Sequence, residues 1–565
     1  MPDLSNTRVR EILDRWNVIK NSRSTFNTDC EEIARRIFPA YANSFTQPSS
    51  SHSAFGDLGL GTAGRTRAGA YAKDQVDATG ANALWKFASV LESMLTPRNS
   101  RWHMLKASDK TLMKRRTVQL WFQDLTDTLF SYRENTAANF AGQRFDTYLS
   151  IGAFGNGILF TDKMDKRYGV GLRYKSCPVG NVYFCENHQG MVDTVYRVFT
   201  RTARQAMQQW GPRVPKKIQE AAKDPKRADA PFSFLHCVSP RTDYDSRRID
   251  INGMLFQSEY LWEHSDADSE ILIHEGYHSF PYSVSRYITG PDEIYGRSPA
   301  MQVLPSLRLL NEQKKTLLKQ SHRAADPPIL AHDDGVMNDI NMTPGGITYG
   351  GVSDDGRALV QPFAVGSPAL NKEMMDDERT VILDAFLITV FQLLVETPEM
   401  TATEVMERTR EKGVLLSPMM GRQQSEALGP QISREVDLIM MQGLMTPMPD
   451  LLRQARGNYT IEYDSPLSRA QKAKSASGLF RSIDWVQNYV AATGDKRPLQ
   501  WINFDEAFPD VLRINGVPAR WISDPEQVAG MRQADQQAAD GQQMVDAAPA
   551  LAAMAKTAMG AKQPA

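Results

Sequence analysis

Pro305–Arg323 (PSLRLLNEQKKTLLKQSHR) and Asn371–Val395 (NKEMMDDERTVILDAFLITVFQLLV) read as two helices. Between them lies 326–370, DPPILAHDDGVMNDINMTPGGITYGGVSDDGRALVQPFAVGSPAL, rich in Gly, Asp and Pro. A tight turn, Glu396-Thr397-Pro398-Glu399-Met400, then leads into a Thr401-x-x-Glu404 capping box. The helical region it opens reaches about Met445, with breaks at Pro418 and Pro430. This order makes the middle of the chain a helical hairpin carrying an insertion. The insertion holds Asp326, Asp333, Asp334, Asp339, Asp354 and Asp355 against Arg357 alone, a local charge of −5. An acidic excursion of that kind suits a docking surface, with a plain solvated loop as the alternative. On the first helix Lys314, Lys315, Lys319 and Arg323 gather, the last three at i, i+4, i+8 on one face. In a monomer such a stripe is ordinarily a solvated face.

Downstream, Pro466 to Gly494 reads as a helix with Pro466 in the first turn, where its missing N–H costs nothing. Beyond Pro525 a polar Gln/Ala/Met tract is helical by propensity but has no core to join. Upstream, Ile158 to about Tyr287 breaks into short alternating segments separated by Gly, Asn and Asp turns. This predicts an antiparallel β region, with one helical excursion at Thr202–Trp210. Before it lie an N-terminal helical pair and a Ser/Gly/Ala-rich exposed loop at 43–70. The first helix of the pair is marked by Val9, Ile12, Leu13, Trp16 and Ile19, and the second opens on a Thr28-x-x-Glu31 capping box. A helix through Leu84, Phe87, Leu91 and Leu95 follows, and 111–150 is helical again. The fold class expected is α+β.

The chain has 565 residues, 65 Lys+Arg against 66 Asp+Glu and a formal charge of −1. That length corresponds to about three or four domains. Near-neutrality excludes holding nucleic acid on a broad basic face. Cys30, Cys177, Cys185 and Cys237 make no disulfide framework for a chain this size. The N-terminus lacks the apolar core of a signal peptide. The longest apolar run, Ala385–Val395, falls well short of the roughly 20 residues that cross a bilayer. The expectation is synthesis in the cytoplasm and no membrane partner.

Two motifs invite an enzymatic reading. His274-Glu275-Gly276-Tyr277-His278 matches HExxH, in which two His one helical turn apart ligate zinc and the Glu activates water. The segment continues Ile271-Leu272-Ile273 and ends at Phe280-Pro281, so it reads as a strand. There the two His would stand roughly 13 Å apart, whereas both nitrogens must come within about 2.1 Å of one zinc. A zinc-dependent hydrolase using His274, Glu275 and His278 is therefore the alternative function; the main expectation is a chain with no catalytic residues, no cofactor and no metal. Gly59-x-Gly61-x-x-Gly64 matches a dinucleotide fingerprint but follows a Ser-rich loop, and no P-loop motif occurs.

One set of blocks resembles a known family. They are Asp77-Ala78-Thr79-Gly80, Leu95 to Trp102, Phe154-Gly155-Asn156-Gly157, Tyr295-Gly296-Arg297-Ser298-Pro299, Leu310-Asn311, Glu396 to Val405, Glu426-Ala427-Leu428-Gly429-Pro430, Arg434-Glu435 and Gly443 to Pro449. In this order and spacing the chain, over roughly residues 5 to 520, resembles the head-to-tail connector, or portal, proteins of T7-like short-tailed bacteriophages. The resemblance implies a ring, usually of twelve copies, at one capsid vertex of the virion, through which double-stranded DNA is packaged and ejected. It implies a portal fold: a wing over 1–296, stem helices at 297–325 and 371–395, a clip at 326–370, and a channel loop at 396–402. A long kinked helix and wing return would occupy 403–465, a crown 466–530 and a low-complexity tail 531–565. Lys314, Lys315, Lys319 and Arg323 would then repeat as cationic belts that touch phosphates without reading sequence. Glu396, Thr397, Pro398, Glu399 and Met400 would project into the channel, and Asp333, Asp334, Asp339, Asp354, Asp355 and Arg357 would dock partners. Those partners would be the terminase large subunit, tail or adaptor proteins, major capsid and scaffolding proteins, and internal core proteins.

Overall fold

The computed structural model describes residues 3–46, 75–98, 100–165, 167–263, 271–325, 329–331, 352–353, 355–358, 360–362, 369–389, 418–455, 457–464, 466–494, 497, 501, 503–514, 517, 521–523 and 527–538. The chain divides into two compact units, Met1–Ser100 with Leu129–Leu444, and Arg101–Thr128 with Met445–Ala565. In chain order come α1 (Asp3–Ser22), α2 (Ser24–Ile37), α3 (Thr79–Leu95), β1 (His103–Ala107), α4 (Arg116–Glu134) and α5 (Phe140–Phe154). Then follow β2 (Asn156–Lys163), β3 (Leu172–Cys177), β4 (Val182–Glu186), β5 (Val192–Thr202), α6 (Ala203–Trp210), α7 (Lys216–Lys223), β6 (Pro231–Pro240), β7 (Phe256–Trp262), β8 (Ile273–Tyr277) and β9 (Tyr282–Arg286). The remainder holds α8 (Leu304–Ala325), β10 (Ile329–Ala331), β11 (Val360–Pro362), α9 (Ala369–Ala385), α10 (Gly429–Met441), β12 (Tyr459–Tyr463), α11 (Pro466–Thr493) and α12 (Phe504–Ile514). This is an α+β chain, as its alternating and helical periodicities require.

In the first unit a five-stranded antiparallel sheet, β4-β5-β6-β7-β8, stands beside a three-stranded one, β3-β2-β9. One face of the larger sheet, with Tyr183, Tyr196, Val198, Leu235 and Leu261, is covered by Val9, Ile12 and Trp16 of α1. On its other face Phe234 packs under Trp210 of α6 and Ile218 and Ala221 of α7. The excursion therefore contains two helices where one was expected, because the apolar face of Lys216–Lys223 completes the cover that α6 begins. Thr202 caps α6 with a reciprocal Thr202–Gln205 box. The capping box expected at Thr28 does not form. α2 already starts at Ser24, and the Thr28 hydroxyl donates 3.1 Å to the Ser24 carbonyl within the helix. The residue before it, Arg23, is buried, its guanidinium held by the Val182 and Gly180 carbonyls.

Two further expectations change in the helical hairpin and beyond it. α9 ends at Ala385, and Leu387 turns left-handed at φ 58° before helix resumes at 388–389, so 371–395 is not one straight helix. Phe386 and Ile388 are both buried. In a continuous helix residues two apart point to nearly opposite sides at about 100° per residue, so burying both requires the break. Pro430, in contrast, does not break its rod. A π-helical turn at Gln423–Leu428 runs directly into α10 and absorbs the ring that would strike the carbonyl four residues back. Pro418 lies where the described part of this rod begins.

In the second unit β1 pairs antiparallel with β12, His103 opposite Tyr463 and Ala107 opposite Tyr459. The Leu105 amide donates 3.2 Å to Thr126, and the Trp121 indole N–H donates 3.1 Å to the Thr446 carbonyl. α11 runs for 28 residues and shows solvent Phe480 and Trp485.

Candidate connector hairpin and docking surface

α8 and α9 form the hairpin, and the short β10–β11 pair sits at the base of its insertion, Ile329 opposite Pro362. The root of the hairpin is pinned by polar groups. Asn311 Oδ1 on α8 accepts the Val76 and Asp77 amides at 3.0 and 3.1 Å, and Asn311 Nδ2 donates 2.9 Å to the Leu307 carbonyl. Asp77 caps the approach to α3 through the Thr79 amide at 2.9 Å, and its other oxygen takes 2.8 Å from Arg379 of α9. Burial would raise the Asp77 carboxyl, but Arg379 and Thr79 hold it below the usual carboxylate range. Arg308 of α8 also forks onto Glu32 of α2, so the residues quoted as Asp77-Ala78-Thr79-Gly80 and Leu310-Asn311 meet at one junction.

Beyond this junction α8 buries no side chain, while Met375 of α9 is buried. Leu304, Leu307, Leu310 and Asn311 are buried, whereas from Glu312 to Ala325 no residue is. Leu318 is 45% exposed. Lys314 is half-buried, and Lys315 donates 2.8 Å to Glu312 on its own helix. Lys315 also lines a 380 Å³ cleft with Glu31, Glu32, Arg35 and Arg36 of α2, so it faces a mixed-charge surround. Lys319 and Arg323 are exposed. Of the insertion's candidate docking residues Asp355 and Arg357 are exposed, while Asp326, Asp333, Asp334, Asp339 and Asp354 lie outside the described residues. Glu396, Thr397, Pro398, Glu399 and Met400 lie outside them too.

Four more of the quoted blocks are structural nodes of the first unit. Phe154-Gly155-Asn156-Gly157 meets Tyr295-Gly296-Arg297-Ser298: Asn156 Oδ1 accepts the Gly296 amide at 2.8 Å, and the Ser298 hydroxyl donates 2.9 Å to the Ala153 carbonyl. Gly155 is left-handed at φ 73°, and a Cβ there would lie 2.3 Å from the Gly296 oxygen. A Cβ on Gly296 would in turn lie 2.4 Å from the Gly155 oxygen. Glu426, in the π turn, receives both forks of Arg286 at 3.0 Å. Glu435 on α10 is fully buried, accepts Tyr174 at 2.8 Å and Gln431 at 2.7 Å, and pairs with Arg133. The sequence showed Arg434-Glu435 as a block but gave no sign of Arg133, Tyr174 or Arg286 as partners, since these arrive from other elements.

His274, Glu275 and the end of the HExxH segment lie on β8 and just past it, as the alternation requires. His274 is opposite Glu259 of β7 and approaches its carboxylate at 3.5 Å. That carboxylate is already held by Arg8 at 3.2 Å through both nitrogens. Among the described residues no group of three His, Cys, Asp or Glu is gathered to hold a metal ion. Among them, too, no helix is long and apolar enough to cross a membrane. The four cysteines are free thiols.

Comparison with known proteins covers nearly the whole chain. The portal protein of Salmonella phage epsilon15 is 24% identical over 562 residues, covering 98% of this chain and 96% of the relative. The probable portal protein of Bordetella phage BPP-1 is 26% identical over 546 residues, covering 94% and 92%. The profile of the family described as bacteriophage head to tail connecting protein matches residues 9–522, from α1 to the end of the second unit's described loops. The chain belongs to that bacteriophage head-to-tail connecting protein family.

Proposed function

We propose that the chain is a portal: a homo-oligomeric ring, of twelve copies by resemblance, at one capsid vertex of the virion, made in the host cytoplasm. Its task is to conduct double-stranded DNA during packaging and ejection without reading sequence. It has no chemistry of its own, and the packaging motor is a terminase large subunit on another chain. The observation that carries this reading is the end-to-end likeness to portal proteins, which leaves almost none of either chain uncovered.

The parts follow from the same reading. Residues 1–296 are the wing, facing major capsid and scaffolding proteins; 297–325 and 371–395 are stem helices, the second bent at Leu387; 326–370 is the clip for terminase, tail and adaptor proteins. Residues 396–402 form the channel loop, 403–465 the kinked helix and wing return, 466–530 the crown facing internal core proteins, and 531–565 the tail. The distal half of α8, in which no described residue is buried and Leu318 is exposed, supports the stem assignment, because a ring can cover such a face with a second copy. The acidic insertion and the overall charge of −1 suit a conduit that must release its cargo. Negative-stain images and native mass spectrometry of the purified chain should give closed rings with a central channel. Monomers alone at micromolar concentration would overturn the proposal.

A further inference from the structure

The helical cover of the larger sheet is strongly cationic on its outer side. From Arg204 to Asp229 the chain carries Arg204, Arg213, Lys216, Lys217, Lys223, Lys226 and Arg227 against Glu220, Asp224 and Asp229, a local charge of +4 in a chain whose total is −1. All seven cations are exposed. Burial dictates this: Trp210, Ile218 and Ala221 turn the apolar sides of α6 and α7 onto Phe234 of the sheet, which leaves the charged positions to water.

Two of the three acids are already engaged. Asp229 pairs with Arg204 at 3.6 Å, and Asp224 accepts the Lys226 amide at 3.0 Å in the turn after α7. Among the described residues the other six cations form no ion pair, whereas Arg98, Arg248 and Arg297, also exposed, have Glu92, Asp250 and Glu293. The backbone beneath them is tied down. The Arg204 amide donates 2.9 Å to the Ala228 carbonyl, which brings Arg204 beside Lys226 and Arg227. At the start of α7 the Gln219 amide group donates to the Pro212 and Val214 carbonyls at 2.9 and 2.8 Å, and the Lys217 ammonium stands 5.9 Å from the Trp262 ring of β7. Lys216 and Lys223 lie two turns apart on one side of α7, about 10.5 Å along it, with Glu220 between them.

The make-up of the surface decides the class of ligand. A protein-binding patch has an apolar or aromatic centre and is depleted of Lys. Here four of the seven cations are Lys, and from Val192 to Asp243 no large apolar side chain is exposed. Point charges on flexible stems, with no anchor among them, suit phosphates met without reading sequence. We propose that the α6–α7 cover is a contact surface for the phosphate backbone of double-stranded DNA, on the outside of the molecule and separate from any channel. That the phosphate polymer is DNA rests on the portal reading; that it is a phosphate polymer rests on the surface itself. The contact is weak and reversible, as a near-neutral chain requires: four to five phosphates lose on the order of 10²–10³ in affinity between 50 and 200 mM salt.

The test uses the full purified chain and a closed circular duplex, followed by gel retardation from 50 to 200 mM salt. A closed circle cannot be threaded through a ring, so its retention reports outer surfaces alone. The circle should be retarded at the low salt and released at the high. A Lys216→Gln/Lys217→Gln/Lys223→Gln variant should weaken retention on the order of tenfold or more and flatten the salt dependence by about one power per contact removed. Lys226→Gln/Arg227→Gln should act in the same direction, and Glu220→Gln, which removes the acid between Lys216 and Lys223, should strengthen retention. All the substituted side chains are exposed, so the melting temperature and particle images should not change. No retention at 50 mM salt, or retention indifferent to both cation variants, would overturn the proposal. So would release of the circle by polyglutamate at a lower concentration of charge than by linear duplex DNA, since the surface would then prefer an acidic peptide. Images of the same preparation report separately on the portal reading: monomers that still retain the circle would overturn the ring and support the contact.

Discussion

Glu435 shows what a single buried carboxylate commits a chain to. It has no access to water and depends on Arg133, Tyr174 and Gln431, so truncating it leaves the Arg133 charge buried and unpaired. Glu435→Ala should lose about 3–5 kcal/mol of stability in denaturant titrations, whereas an Arg133→Met/Glu435→Leu double variant should lose much less. His236 makes a second residue-scale prediction. Its ring, stacked at 4.0 Å on Tyr260, bonds Tyr282 at 2.7 Å and Ser258 at 2.9 Å, and burial followed by the Arg197 charge hold it well below its usual range. The folded state therefore keeps His236 neutral while the unfolded state takes a proton below pH ~6.5, so stability falls as pH drops through that value. Melting curves should show a loss approaching 2 kcal/mol at about pH 5 from this group. A His236→Phe variant, though less stable at pH 8, should show a flatter acid limb.

At the scale of elements, the hairpin divides its cations by environment. Lys315 is engaged with Glu312 beside α2, while Lys319 and Arg323 are exposed. Lys315→Glu together with Lys319→Glu should impair packaging or DNA retention with ring assembly intact, and Lys319→Glu/Arg323→Glu should do so more strongly than Lys315→Glu alone. Normal packaging in the Lys319→Glu/Arg323→Glu variant would remove the stripe from the channel. At the hairpin root, Arg379→Ala frees Asp77 from one of its partners and should cost about 1–3 kcal/mol. Much at this scale was legible in sequence: α1, α3 and α8 follow their 3.6-residue patterns, and β8 its alternation. What was not legible depends on elements remote in sequence. Thr28 looks like a cap until α2 is seen to start at Ser24, and Pro430 looks like a break until the π turn before it is seen. The bend at Leu387 is invisible in an apolar run, because it shows only in the tertiary burial of both Phe386 and Ile388.

For the whole molecule, the order of helix, insertion and helix in sequence matches the hairpin, and the quoted blocks at 77–80, 154–157, 295–299, 310–311, 426–430 and 434–435 are places where distant segments meet. The pairing of β1 with β12, which gathers 101–128 with the C-terminal part, has no local signature; strand partners are chosen by tertiary fit. The exposed Phe480 and Trp485 on α11 predict an assembly contact as well: a Phe480→Ser/Trp485→Ser variant should shift purified rings toward smaller species in native mass spectrometry while leaving far-ultraviolet dichroism unchanged. The contact between Gly155 and Gly296 bears on how such a protein can change over time. Each glycine is required by the other's carbonyl, so altering either blocks the fold, and altering both makes two collisions in place of one. No second substitution at the pair compensates the first. Sequence drift among working descendants is therefore channelled away from this point and into positions where no second backbone stands in the way.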